Sequence, residues 1–155
     1  MDADEKHSKK VERIAERLRA LSPGKQINDV ARVFQQLVKL RHADKNGWCQ
    51  CVTCEAVLQF NDRRLNAGHF VSRKHRTVVF DDKNCHPQCV KCNQHLNGNM
   101  DVYKTKMIKI YGKRQVDKLL AAKQDSRKWT VEELAELKIE LMERVRWLTG
   151  ILGSQ

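Results

Sequence analysis

The sequence predicts an α+β protein: a zinc-bound ββα core flanked by N- and C-terminal helices. Three observations lead there. Cys51-x-x-Cys54 and Cys89-x-x-Cys92 can together supply four thiolates to one tetrahedral zinc ion. The segment between these pairs has little helical period and contains two short stretches of strand character. Both flanks carry apolar residues at helical spacing.

In chain order, residues 4–21 read as a basic amphipathic helix with Val11, Ile14, Leu18 and Leu21 on one face. Ser22-Pro23-Gly24 is expected to stop it. A second helix is expected from Asn28 to Ala43, its apolar face made by Val30, Phe34, Leu37 and Val38, and closed by Lys45-Asn46-Gly47. Residues 57–60 and 67–71 are expected as short strands, with polar residues 61–66 connecting them. After Cys92 the pattern returns to helix, over 102–111 and 115–122, with Gly112 between them. Thr130-Val131-Glu132-Glu133 has the form of a capping box. Behind it, Leu134, Leu137, Leu141, Val145 and Leu148 make an apolar stripe that packs either within the chain or against a second copy. This divides the chain into basic helices over 1–45, the zinc-bound core over 46–100 and C-terminal helices over 101–155.

The 155 residues include 30 Lys and Arg against 19 Asp and Glu, a net charge of +11. That excess implies a polyanionic partner, with nucleic acid the default. No apolar run approaches the roughly 20 residues that span a bilayer. The N-terminal residues 1–10 are charged and lack the apolar centre of a signal peptide. A cytoplasmic location, where thiols stay reduced, is therefore expected, and six cysteines there favour metal over disulfides. With four sulfur ligands the coordination shell closes, so the zinc should be structural. Cys49 and Cys85 are left over as free thiols, although Cys49 also offers a second, poorer-spaced donor beside Cys51.

His69 lies between the two cysteine pairs on an expected strand, and Asn93 follows Cys92 at the start of an expected helix. Phosphodiester hydrolysis needs a base to activate water and a cation to stabilise charge on the phosphate. A neutral imidazole can take the proton. An amide oxygen such as that of Asn93 suits a hard ion, Mg²⁺ or Mn²⁺. The basic run Ser72-Arg73-Lys74-His75-Arg76 follows His69, so Arg73, Lys74 and Arg76 are candidate phosphate contacts. Lys9, Lys10, Arg13 and Arg17, or Lys104, Lys106 and Lys109, could extend the track.

Cys51-Val52-Thr53-Cys54, Asn66-Ala67-Gly68-His69-Phe70 and the stretch from Phe80 through Cys89-x-x-Cys92-Asn93 to Asn99 resemble the phage NinG/Rap recombination endonuclease family. The similarity extends over roughly 28–148. The resemblance implies a zinc-containing HNH, or ββα-metal, nuclease acting on branched recombination intermediates (Holliday junctions, D-loops and forks). It assigns His69 as general base, Asn84 as the asparagine that braces the hairpin and orients the base, and Asn93 as a metal ligand. Many HNH enzymes place Asp or His before the base, whereas this chain has Gly68. His86, Asp62, Asp81, His95 and Asn97 are candidates for the missing ligand, and His69 itself is another. Two other readings compete: a zinc-dependent DNA-binding or scaffolding protein without catalysis, for which Gly68 argues, and a sequence-specific HNH nuclease, for which no separate reading module is visible. A homodimer would suit a two-fold symmetric junction.

Overall fold

The computed structural model describes residues 2–153. Helices α1 (Ala3–Arg19) and α2 (Pro23–Arg41) come first. Two short antiparallel pairs follow: β1 (Trp48–Gln50) with β2 (Val57–Gln59), and β3 (Leu65–His69) with β4 (Cys85–Cys89). One wide helical turn, Lys91–His95, leads into α3 (Met100–Tyr111), α4 (Lys113–Ala121) and α5 (Val131–Gly153). The α+β class is as expected.

The second helix begins five residues earlier than expected. Ser22-Pro23-Gly24 does not only end α1; Ser22 occupies the N-cap of α2 and Pro23 its first turn. Proline lacks an amide hydrogen, but the first helical residue needs none, so the ring costs nothing there. The capping box forms as expected: the Glu133 amide donates to Thr130 Oγ at 3.1 Å, and the Thr130 amide donates to the Glu133 carboxylate at 2.8 Å.

The strands pair differently from expectation. Residues 57–59 do not form a hairpin with 65–69; they pair back on Trp48–Gln50, in the register Cys49 opposite Leu58. The turn of that small hairpin is the first cysteine pair, closed by the Cys51 amide donating to the Ala56 carbonyl at 2.8 Å. The true partner of β3 is β4, with Gly68 opposite His86 and His69 opposite Cys85. Pro87 has no donor for a ladder, but its carbonyl accepts from the Val52 amide at 2.9 Å and so ties the two hairpins together.

Two apolar cores flank β3–β4. The larger joins Ile14 and Leu18 of α1, Val30, Phe34 and Leu37 of α2, and Leu134, Ile139 and Leu141 of α5, together with Val79 and Cys85. The α5 stripe thus packs within the chain. The smaller joins Phe70, Val71 and Val78 to Tyr103, Met107, Val116 and Leu119 of α3 and α4. The connection 70–84 feeds both cores. No helix among the described residues is long and apolar enough to cross a membrane.

Candidate metal centre and nucleic-acid cleft

The Sγ atoms of Cys51, Cys54, Cys89 and Cys92 all lie within 4.8 Å of one another. The two turns meet because Val52 bonds across to Pro87, and the Cys89 amide donates to Cys51 Sγ at 3.3 Å. Burial disfavours the Cys51 thiolate, yet hydrogen bonds from Thr53, Cys54 and Cys89 more than offset it, so its pKa falls below the ordinary thiol value. Burial and then the neighbouring thiols push the Cys54 thiol up. Four sulfurs so gathered could bind a structural zinc. Cys49 is outside the cluster: its buried thiol donates to the Lys39 carbonyl at 3.1 Å, which removes the register ambiguity. Cys85 is also buried, beside His69.

His69 ends β3 and is fixed from the far side of the connection. Its Nε2 lies 2.9 Å from the Val79 carbonyl, which can only accept, so Nε2 carries the proton. Among the described residues, the Nδ1 lone pair meets only the Cys85 thiol, 3.7 Å away. Burial lowers the pKa of His69, keeping the ring neutral, and the Val79 bond opposes this only partly. Asn84, fully buried, braces the same connection. Its Oδ1 accepts from the Val71 amide at 2.7 Å, and its Nδ2 donates to the carbonyls of Val71 at 2.9 Å and Val78 at 3.0 Å. Asn84 therefore holds Val78, the neighbour of the residue that orients His69.

Asn93 sits in the wide turn, where the Leu96 amide reaches the Lys91 carbonyl at 2.9 Å. The expected helix is only this turn. Asn97, Gly98 and Asn99 then take positive φ values of 48°, 87° and 48° and reverse the chain into α3. Gly68 is explained by close approach. A Cβ there would clash with Gln88 Oε1 and lie 3.2 Å from Asn93 Oδ1. Gln88 fills the space that a residue-68 side chain would take, held by bonds from its Nε2 to the carbonyl of Gly98 at 2.7 Å and to Thr53 Oγ at 3.2 Å.

His69, Asn93 and Asn97 line one cleft of about 760 Å³. Its cations are Arg32 and Lys39 of α2, Arg73 and Lys123. Of the expected phosphate contacts, Arg73 alone lines it; Lys74 and Arg76 follow on the same loop, outside the lining. The other expected track residues are in part engaged elsewhere, Lys9 with Glu5, Lys10 with Glu143 and Lys106 with Glu55. Arg32 and Lys39 escape a motif-based reading because they precede the cysteine pairs. Their only signal is the polar side of an amphipathic helix, where residues 32, 35, 36 and 39 share a face.

His86 does not join this site. It is buried, its Nδ1 lies 3.0 Å from the Tyr103 hydroxyl and its Nε2 2.8 Å from that of Tyr111. Tyr103 donates onward to the Gly68 carbonyl at 2.9 Å, so Nδ1 of His86 must be the donor to Tyr103 and Nε2 the acceptor from Tyr111. Both nitrogens are satisfied, which corrects its reading as a metal ligand. Burial first, then the charges of His42 and Arg41, lowers its pKa to about 3. His86 supports β3 from behind, through Tyr103. Asp62 pairs with Arg64, and Asp81 caps the amide of Lys83; neither lines the cleft, nor does His95.

The family model described as "Bacteriophage Lambda NinG protein" matches residues 1–150. Protein ninG of Escherichia phage 933W is 28% identical over 113 residues, 72% of this chain and 54% of that protein. Its counterpart from Escherichia phage lambda is 27% identical over 113 residues, 72% of this chain and 53% of that protein. That of Enterobacteria phage H19B is 35% identical over 74 residues, 47% of this chain and 36% of that protein. The chain thus spans about half the length of the first two relatives. No solved structure matches it. With its model covering nearly the whole sequence, the chain belongs to the bacteriophage lambda NinG family.

Proposed function

We propose that the protein is a zinc-stabilised, Mg²⁺- or Mn²⁺-dependent DNA endonuclease of the HNH (ββα-metal) type. It acts on branched intermediates of phage recombination, Holliday junctions, D-loops and forks, in the host cytoplasm. The observation that carries the reading is His69. Its Nε2 is anchored on a carbonyl, its Nδ1 lone pair is uncommitted to any strong donor, and it lines a cationic cleft with Asn93.

In this mechanism a substrate phosphate enters between α2 and the turn that carries Asn93. His69 Nδ1 accepts a proton from the attacking water, while Nε2–H stays on Val79 and stabilises the resulting imidazolium. Asn93 and Asn97 would hold the divalent ion, which when bound stabilises charge on the phosphate and the leaving oxygen. Arg73 and the other cleft cations position the backbone without reading sequence. Two copies of the chain would match a two-fold symmetric junction.

One observation favours a second reading, DNA binding without catalysis: the cleft contains no carboxylate to hold a metal. Cleavage of matched linear, forked and four-way DNA with Mg²⁺ separates the two. The proposal expects cutting that prefers branched DNA, and a loss of about 10²–10⁴ in rate for His69→Ala with DNA affinity retained. Equal rates for wild type and His69→Ala would refute the mechanism. An inactive wild type in both Mg²⁺ and Mn²⁺ would leave the binding reading standing.

A further inference from the structure

The amide side chains of the cleft differ from those in the rest of the chain. Outside it, every buried or half-buried Asn and Gln among the described residues is hydrogen-bonded within the chain: Gln26, Gln59, Asn84, Gln88, Asn99 and Gln115. Inside it, Gln35 of α2, Asn66 of β3 and Asn93 are half-buried, yet among the described residues their side-chain amides have no partner. Gln36 and Gln94, more exposed, line the same cleft and are equally unbonded. Half-buried amides have given up part of their water and gained nothing in the fold for it. A ligand with donors and acceptors of its own would complete them.

The chemistry of such a ligand is restricted. An amide presents a donor and an acceptor side by side. A phosphate offers acceptors only, whereas the edge of a nucleobase carries both kinds. The amides come from different walls, α2, β3 and the turn Lys91–His95, and stand within the concavity. A protruding helix can read bases inside a groove, but a recessed amide is reached only by a base that has left the stack. At about 760 Å³ the cleft falls within the roughly 300–1,000 Å³ of small-molecule sites, ample for one nucleotide. Met100, 40% exposed, lines it and offers a polarizable thioether to the face of a ring. Arg32 and Lys39 lie one turn to either side of Gln35 and Gln36 on the same face of α2, where the phosphates that flank a bound base would run.

We propose that the cleft is a receptor for one unpaired nucleobase at a DNA branch, with Gln35, Gln36, Asn66 and Gln94 meeting the edge of the base and Met100 its face. The inference rests on the branched-DNA reading and names the element that would prefer a branch to a duplex. Extracting a base from an intact duplex costs unstacking and unpairing, and that cost is least where the base is already unpaired.

The test measures binding by the zinc-loaded full chain to labelled forked DNA, by anisotropy and without added divalent ion. In matched forks one base at a time is removed, leaving an abasic site with its phosphates in place. Loss of one base at the branch should weaken binding by about 10-fold, the scale of a well-placed base contact, while loss of bases deep in the duplex arm should change it little. Gln35→Ala with Gln36→Ala should weaken binding of the intact fork and remove its sensitivity to the abasic site. The dependence of log affinity on log salt should stay as in wild type, because no phosphate contact is lost. Affinity indifferent to every base at the branch would overturn the proposal, as would a double variant that weakens intact and abasic forks by the same factor. Cleavage is scored separately: a protein that cuts forks but ignores the missing base refutes only the base receptor, and one that senses the base but never cuts refutes only the nuclease.

Discussion

Asn84→Ala is the substitution that most directly tests how His69 is held. The side chain is fully buried and makes three hydrogen bonds to the connection 70–84, at 2.7, 2.9 and 3.0 Å. Alanine leaves the Val71 amide and the Val71 and Val78 carbonyls without these partners. Each orphaned buried group costs about 1–3 kcal/mol, less where water can enter, so a total of about 3–5 kcal/mol is expected. With a urea m-value of about 1–3 kcal/mol/M for a small protein, the midpoint should fall by roughly 1–5 M. The assay is urea unfolding of the zinc-loaded protein followed by far-ultraviolet circular dichroism. Asn84→Asp should lose nearly as much, since a second oxygen would then face two carbonyls. Cleavage by either variant should fall even in dilute urea, because Val79 no longer aims His69. A midpoint within about 0.5 M of wild type, taking the same m-value range, would refute the bracing role.

Removing zinc with a chelator, or replacing Cys89 with Ser, should abolish both bound zinc and cooperative unfolding; a stably folded apo protein by calorimetry would count against a structural ion. Burial lowers the pKa of His69, so the cleavage rate should rise with pH with its midpoint below the ordinary imidazole value of about 6.5; a midpoint above that value would show that the neutral form is not favoured. Replacing Arg73, Lys74 and Arg76 by Ala should flatten the dependence of log DNA affinity on log salt by about 0.9 for each phosphate no longer neutralised, and an unchanged slope would move the DNA to another face. Gly68→Ala should destabilise the protein by about 1–3 kcal/mol through collision with Gln88, read as a lower urea midpoint.

The helices were legible because their cores impose a 3.6-residue period, and the capping box because its two bonds are local. Ser22-Pro23-Gly24 was ambiguous for a physical reason: the residues that end one helix also begin the next. The strand Cys85–Cys89 was not legible. It has no apolar alternation, contains a proline, and is buried on both sides by the cysteine cluster and the flanking helices. Of the candidate site, His69, Asn84 and Asn93 could be marked by their places relative to the cysteine pairs. His86 looked equally available, because a sequence does not show that two tyrosines, 17 and 25 residues further on, occupy both its nitrogens. Arg32 and Lys39 carry no local motif; they reach the cleft only because α2 packs its opposite face into the larger core.

The cysteine cluster by itself does not explain the placement of His69. It joins the two turns and fixes Asn93, one residue beyond Cys92. The orientation of His69 depends on Val79, which lies ten residues away in a connection with no regular strand or helix. That connection is immobilised at several points. Phe70, Val71 and Val78 enter the core built with α3 and α4, whereas Val79 and Phe80 pack toward α1, α2 and α5. Trp129, just before α5, packs edge-on against Phe80 and donates to the Arg76 carbonyl at 3.0 Å. Tyr103 of α3 bonds the Gly68 carbonyl, immediately before His69. The helices on either side of the hairpins are thus part of the machinery that sets the histidine, while the sulfurs set the asparagine. Two independent devices converge on one cleft, which is why loss of zinc and loss of Asn84 should produce different defects: the first should dissolve the fold, and the second should leave a zinc-bound protein in which His69 is no longer aimed.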